Sequence, residues 1–252
     1  MPRVLVLGGL DPTGGAGISA DARALLAVGC HAMPVATTLT VQSRRGMRDV
    51  QDVPVAHWQS ALLAVLEDGP VHAVKTGLLG SAAQVRVLAQ ALRVLGPGVP
   101  LVVDPVMSAT AGGWHAAGDL ADAYRESLLP MAALALPNLP ELARLGAVDA
   151  AELLSEGVGA VLVKGGHGEA AELTDVLHSQ GGVRAWSHPR QQVGPVHGTG
   201  CALASFVAGR LATGFDLEDA VDGSIRLLQH CLRHMGPPVP DGLSRPLALR
   251  LG

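Results

Sequence analysis

The stretch Pro195-Val196-His197-Gly198-Thr199-Gly200-Cys201 runs straight into Ala202-Leu203-Ala204-Ser205-Phe206-Val207-Ala208-Gly209-Arg210-Leu211, an apolar run with helical spacing. Two glycines flanking a threonine before a helix let the backbone turn sharply and aim several N–H groups at one point. The first N–H groups of a helix lack internal partners, and the macrodipole adds about half a positive charge there. Such a spot suits a phosphate, or the charge that builds up during phosphoryl transfer. Cys201 falls in the first turn, where the same field favours a thiolate. The plain alternative is a tight turn with a threonine N-cap and a small buried cysteine. The rest of the chain has to decide between them.

A chain of 252 residues is long enough for one large α/β domain or two small ones. Strand-length apolar segments alternate with segments of helical spacing, which favours one α/β domain over residues 1–252. A net charge of −4 provides no basic field, and aromatics at 2% leave few platforms for stacking bases, so no nucleic-acid partner is expected. Cys30, Cys201 and Cys231 match neither a disulfide framework nor a zinc pattern, and a reducing cytoplasm is the expected setting. The apolar start is too short for a signal peptide, and no apolar run approaches the ~18 residues of a membrane span.

Residues 4–7 read as a buried first strand, closed by Gly8 and Gly9. A Gly-rich loop follows, then a helix over 18–28 that stops at Gly29. The spacing from Gly9 to Gly14 resembles a P-loop, but Gly15 and Ala16 stand where lysine and a hydroxyl belong. The dinucleotide fingerprint fails as well, because Ala20 stands in place of its last glycine, and this disfavours an oxidoreductase. The loop therefore reads as the wall of a small-ligand site, with Asp11 and Asp21 as candidate polar contacts. A strand over 31–39 leads to Gln42, placed in a loop, whose amide offers a donor and an acceptor to a heterocycle.

Further strands are expected over 47–53, within 73–79 where the strand leads into a loop, and over 100–103, 132–136, 160–163, 173–178 and 183–188, the last two joined by a turn at Gln180-Gly181-Gly182. Helices are expected over 55–67, 82–95, 120–129, 150–157 and 217–235. Asp104 stands at the end of a strand, the edge where ligands collect in open parallel sheets. Asn138 and Glu141 lie three apart at a helix start, which suits both a hydrated Mg²⁺ and a capping box. Lys164 ends another strand, where it suits a phosphate. Cys30 and Cys231 read as packing, and the Pro-rich tail from Gly236 carries no legible chemistry. A mostly parallel sheet covered on both faces would gather Asp11, Gln42, Lys75, Asp104, Asn138, Lys164 and Cys201 along one edge. That set favours phosphoryl transfer from a nucleotide to a small-molecule hydroxyl.

The ordered motifs Gly9-x-Asp11-Pro12-x-Gly14-Gly15-Ala16-Gly17-Ile18-x-Ala20-Asp21, Leu39-Thr40-x-Gln42, Lys75-x-Gly77, Asp104-Pro105-Val106-Met107, Pro137-Asn138-Leu139-Pro140-Glu141, Val163-Lys164-Gly165-Gly166-His167 and His197-Gly198-Thr199-Gly200-Cys201 span nearly the whole chain. In these the sequence resembles the hydroxymethylpyrimidine/phosphomethylpyrimidine kinases of thiamine biosynthesis, members of the ribokinase superfamily. The resemblance implies a ribokinase-like three-layer sandwich with a mostly parallel central sheet, ATP and Mg²⁺ as co-substrates, a pyrimidine acceptor and a homodimer. It implies that Gln42 and Asp21 hold the aminopyrimidine, with Gly9, Ala16 and Val106 lining its pocket. Gly198, Thr199 and Gly200 would form the anion hole and Cys201 would be the base. Asn138, Glu141 and Asp104 would serve the nucleotide's Mg²⁺, and Lys164 its phosphates.

The chain departs from the family pattern at Leu10, at Ser43 and Arg44, at Leu78, and in residues 108–112, where Thr110 replaces a frequent lysine. These losses of polar groups bear on a second phosphorylation more than on the first. A pyridoxal kinase and a non-catalytic pyrimidine-binding relative are the competing readings on the same scaffold.

Overall fold

The layering follows from the first strand. In β1 (Arg3–Leu10), Val4 and Val6 point to one face and Leu5 and Leu7 to the other, and all four are fully buried. A strand buried on both sides needs helices on each. The computed structural model describes residues 1–96, 98–107, 118–166, 170–239 and 243–249. After β1 come α1 (Gly17–Ala27), β2 (His31–Ser43), β3 (Gly46–Asp52), α2 (Val55–Glu67), β4 (Ala73–Thr76), α3 (Ala82–Leu92) and β5 (Leu101–Val103). Then follow α4 (Gly118–Ala123), β6 (Leu134–Ala135), α5 (Leu139–Arg144), α6 (Ala150–Ser155), β7 (Ala160–Val163), β8 (Glu172–Ser179) and β9 (Gly182–Pro189). The chain continues through β10 (Val196–His197), α7 (Thr199–Ala212), α8 (Leu217–Arg233) and β11 (Arg245–Pro246).

Nine strands form one sheet in the order β3-β2-β1-β4-β5-β6-β7-β8-β9. The six from β2 to β7 in that order run parallel, while β3 at one edge and the β8–β9 hairpin at the other are antiparallel. Val4, Val6, Val102 and Leu162 pack under α1, α7 and α8; Leu5, Leu7, Val103 and Val161 pack under α2, α3, α5 and α6. Helix α8 shows why: Ala220, Val221, Ser224, Ile225 and Cys231 are buried at three- and four-residue spacing. Asp216 caps its start by accepting the Asp219 N–H. Because β1 lies between β2 and β4, the chain leaves it in opposite directions on its two sides. This is the switch point at which open α/β sheets hold ligands, beyond the strands' carboxyl ends.

Five expectations need correction. Strand β2 does not stop at 39 but continues to Ser43, because β3 pairs with it from Thr38 to Ser43. Gln42 therefore sits in a strand, next to a bulge between Val41 and Gln42, rather than in a loop. The helix expected over 82–95 ends at Leu92 and tightens into a 3₁₀ turn at Arg93–Leu95, and the one expected over 120–129 widens into a π turn at Tyr124–Leu128. The tail after Gly236 also has a structural role: β11 pairs with β10, and the Leu247 N–H donates to the His197 carbonyl at 3.2 Å. Residues 108–112 and His167 lie outside the described residues. Among the described residues no helix is long and apolar enough to cross a membrane.

Candidate active site

The Gly-Thr-Gly stretch starts α7, but glycine rather than threonine is the cap. Gly198 is the N-cap with φ +85°, and a Cβ there would run into the Gly15 carbonyl. Only glycine accepts both conditions at little cost, so the loop after β1 and the start of α7 close on each other. Thr199 is the first helical residue. A Cβ on Gly200 would lie 3.5 Å from Lys164 Nζ and 3.7 Å from Asp104 Oδ2, so the helix start faces that charged pair directly.

The expectation of a Cys201 thiolate fails. The residue keeps some surface at the cleft, yet burial pushes its pKa up to about 12. The Lys75 charge and a hydrogen bond from the Gly17 N–H pull the other way, while Asp21 and Asp104 add to the rise. Desolvation disfavours the charged form, and here it outweighs the Lys75 charge and the Gly17 hydrogen bond. Cys201 is a thiol at neutral pH.

Asp21 lines the cleft, yet its carboxylate is engaged inside the protein. The side chain has no exposed surface, with Oδ2 2.9 Å from Lys75 Nζ and Oδ1 accepting from Ser205 Oγ at 2.8 Å. Both oxygens have partners inside the protein. Burial would lower the pKa of Lys75, but the Asp21 carboxylate outweighs it and holds the ammonium above its ordinary value. The pair ties α1, β4 and α7 together below Cys201.

Lys164 lies just past β7, placed by its N–H donating to the Pro137 carbonyl at 2.9 Å. Its Nζ is 2.7 Å from Asp104 Oδ1 and 3.5 Å from Glu141 Oε2. Asn138 and Glu141 form the capping box: Asn138 Oδ1 accepts the Glu141 N–H and Glu141 Oε2 accepts the Asn138 N–H, each at 2.8 Å. Burial raises the pKa of Glu141 against the pull of Lys164, and the carboxylates in turn hold Lys164 above its ordinary value despite its burial. Among the described residues no group of three or more His, Cys, Asp or Glu side chains could hold a metal. Asp104 and Glu141 are paired with an ammonium instead. Two hard oxygen donors still fit Mg²⁺, which commonly takes one or two carboxylates and completes its shell with water and phosphate.

Asp11, expected as a ligand contact, is an internal staple. It is buried, and its two oxygens accept from Thr13 N, Thr13 Oγ1 and Ala16 N, each at 2.8 Å. Burial would raise its pKa, but hydrogen bonds from His197, Thr13 and Ala16 prevail and hold it at about 2. His197 Nε2 is 3.2 Å from Asp11 Oδ2 and 2.7 Å from the Gln42 amide. Sequence reasoning quoted His197 and Lys75 inside motifs but assigned neither a role. A lysine inside a strand otherwise made of buried residues was the available signal for the second.

All of the expected site residues, from Gly9, Ala16 and Gln42 through Val106 and Asn138 to Gly198, Thr199, Gly200 and Cys201, line one cleft of about 450 Å³. That lies in the range of small-molecule sites. Arg44 reaches over the mouth, its Nε donating to the Ser244 carbonyl at 2.8 Å. On the far side Asp175 accepts from the Gly165 N–H at 2.8 Å and pairs with His188 at 3.0 Å, an arrangement not anticipated from the sequence.

Residues 11–242 match the family model described as phosphomethylpyrimidine kinase. A hydroxymethylpyrimidine/phosphomethylpyrimidine kinase of Streptomyces coelicolor is 40% identical over 231 residues, covering 87% of this chain and 84% of that protein. One from Mycobacterium tuberculosis is 37% identical over 247 residues, covering 94% and 90%. Among solved structures, the phosphomethylpyrimidine kinase from Clostridium difficile 630 superposes with a TM-score of 0.79 at 29% identity, covering 91% of this chain and 99% of that one. The pyridoxal kinase from Staphylococcus aureus in complex with AMP-PCP reaches 0.86 at 23% identity, covering 98% and 93%, a likeness that carries the fold alone. The architecture is ribokinase-like.

Proposed function

The chain belongs to the phosphomethylpyrimidine kinase family, and from that membership we propose that it transfers the γ-phosphoryl group of ATP to the hydroxymethyl oxygen of 4-amino-5-hydroxymethyl-2-methylpyrimidine, in thiamine biosynthesis. One observation carries the reading: the N-terminus of α7, the Lys164–Asp104–Glu141 cluster and Gln42 all line the same cleft. Gln42 binds the heterocycle against Gly9, Ala16 and Val106. The N–H groups at Gly198, Thr199 and Gly200 receive the charge of the transferring phosphoryl group. Lys164 exchanges its carboxylate partners for nucleotide phosphate oxygens. The acceptor oxygen bonds to phosphorus as the bond to the ADP oxygen breaks, and the hydroxyl proton passes to Cys201 in its minor thiolate form. When bound, Mg²⁺ would neutralise phosphate charge; Asp104 and Glu141 would hold it, with Asn138 keeping Glu141 in place. The protein acts as a single domain and as a homodimer in the cytoplasm, with the exposed Leu39 and Val41 of β2 as apolar surface for a partner copy.

ATP turnover with the pyrimidine alcohol, its monophosphate and pyridoxal in parallel tests the reading. Turnover on the alcohol is expected to exceed that on pyridoxal, and turnover on pyridoxal alone would overturn the assignment. The monophosphate arm reads the consequence of the departures at Leu10, Ser43, Arg44 and Leu78.

A further inference from the structure

Gln42 and Asp11 share one atom of His197. The Gln42 amide lies 2.7 Å from Nε2, and Asp11 Oδ2 lies 3.2 Å from the same nitrogen. Asp11 already takes three hydrogen bonds from Thr13 and Ala16, and an ionised carboxylate only accepts. A bare ring nitrogen facing it would set two lone pairs against each other. Nε2 therefore carries a proton, whether the imidazole is neutral or charged. A protonated nitrogen cannot accept from an amide N–H, so Nε2 of Gln42, the end that faces the ring, cannot stay there. The two ends of an amide exchange by a half-turn of the last side-chain torsion, and the hydrogen-bond network decides which end faces which partner.

We propose that His197, held by Asp11, is a positioning residue that fixes the Gln42 amide with its oxygen toward the imidazole and its NH₂ toward the cleft. The binding site then offers the heterocycle a donor. It selects rings that present an acceptor at that edge, such as an unsubstituted ring nitrogen, and disfavours rings with C–H or N–H there. The selection is built from three separate elements: the loop after β1 gives Asp11, the end of β2 gives Gln42, and β10 gives His197. The β10–β11 pairing fixes the last of these through its backbone. The identity of the ring rests on the kinase reading above; the orientation of the amide does not.

Two measurements test this. In ¹⁵N-labelled protein without ligand, two-bond ¹H–¹⁵N correlations distinguish protonated from bare imidazole nitrogens, with the His197 signals assigned by their loss in His197→Gln. A protonated Nε2 is expected, and a bare Nε2 would overturn the proposal. The second is Gln42→Glu, which keeps the size of the side chain and leaves only acceptors. Its dissociation constant for the pyrimidine alcohol is expected to rise about tenfold or more, the cost of a lost hydrogen bond and an opposed lone pair. An analogue with C–H replacing the recognised ring nitrogen should bind the variant and the parent within about twofold of each other, since for it the donor has no partner. If Gln42→Glu binds the pyrimidine as well as the parent does, or better, the amide presents its oxygen and the proposal fails. A parent protein that ignores the pyrimidine altogether refutes the kinase reading instead, and the ring protonation then decides the orientation by itself.

Discussion

Two lysines stand at strand ends beneath one cleft, and their surroundings differ. Lys75 and Asp21 have no exposed side-chain surface, and Ser205 completes the carboxylate's shell. Lys164 keeps 12% of its side-chain surface, beside Asp104 at 3% and Glu141 at 9%. The first pair is held between β4, α1 and α7 at the floor of the cleft, with no side-chain surface exposed. In the second the ammonium keeps exposed surface at the cleft, which the proposed exchange of its carboxylates for phosphate oxygens requires. Both are lysine–carboxylate contacts of under 3 Å, yet one has no exposed side-chain surface and the other keeps some. Exposure of the ammonium separates them.

Cys201 lies between the two, feeling the charge of both lysines, and gives the largest expected effect. Cys201→Ala should lower turnover by about 10²–10⁴-fold, the usual worth of a positioned base, with pyrimidine binding within a few-fold. Because its pKa is pushed up to about 12, the thiolate fraction rises tenfold per pH unit through the neutral range. Turnover limited by this base should climb with pH between about 7 and 9 with a logarithmic slope near one. A flat profile, or near-normal turnover in Cys201→Ala, removes the sulfur from the mechanism.

Lys75→Met tests the first pair. Leaving Asp21 buried without its partner should cost about 3–5 kcal/mol of stability, read by denaturant unfolding. Adding Asp21→Asn should recover most of that loss, since a neutral pair has no stranded charge. Equal losses in the single and double variants would mean that the pair works through packing rather than charge. Lys164→Met tests the second pair: its stability should fall by less than that of Lys75→Met, because Asp104 and Glu141 keep 3% and 9% of their side-chain surface where Asp21 keeps none. Its kcat/KM for ATP should fall by roughly 10²–10³-fold, the scale for losing one donor to a transferring group. A Lys164→Met protein as unstable as Lys75→Met would erase the distinction.

The smallest effect concerns a carboxylate held without a lysine. Asp11 sits at about 2 in the folded chain against an ordinary 3.8. A depressed carboxylate stabilises the fold fully above its unfolded value and stops doing so as pH falls through its folded value. Asp11→Asn should therefore lower stability by about 2 kcal/mol near neutral pH, with the difference from the parent vanishing as pH drops from about 4 to about 2. A difference that persists at pH 2 would assign the loss to the loop's hydrogen bonds alone.

Much of this was legible before any coordinates. Alternating apolar runs announced a covered parallel sheet, and the motifs named the cleft's residues, because strand ends and helix starts carry local signals in glycine, proline and capping residues. The Asn138–Glu141 spacing read as both capping box and ion site, and the capping box is present with Glu141 also beside Lys164. What stayed hidden were matters of distance between segments far apart in the chain. Asp21 faces Lys75 across 54 positions and Asp11 meets His197 across 186, and neither partnership leaves a local trace. The tail looked empty for the same reason: Arg245 and Pro246 have meaning only beside β10.

By itself the sequence determined the layered α/β architecture, the family, and which residues gather at the carboxyl edge of the sheet. Those follow from periodicity, from glycine's freedom at turns, and from hydrogen-bonding groups whose needs are met within a few residues. Tertiary structure alone decided how each group is charged and aimed: that desolvation keeps the proton on Cys201, that Asp21 meets Lys75 and Ser205, and that Lys164 meets Asp104 and Glu141. Charge and orientation depend on desolvation and on partners, and both are properties of the packed surroundings rather than of the residue.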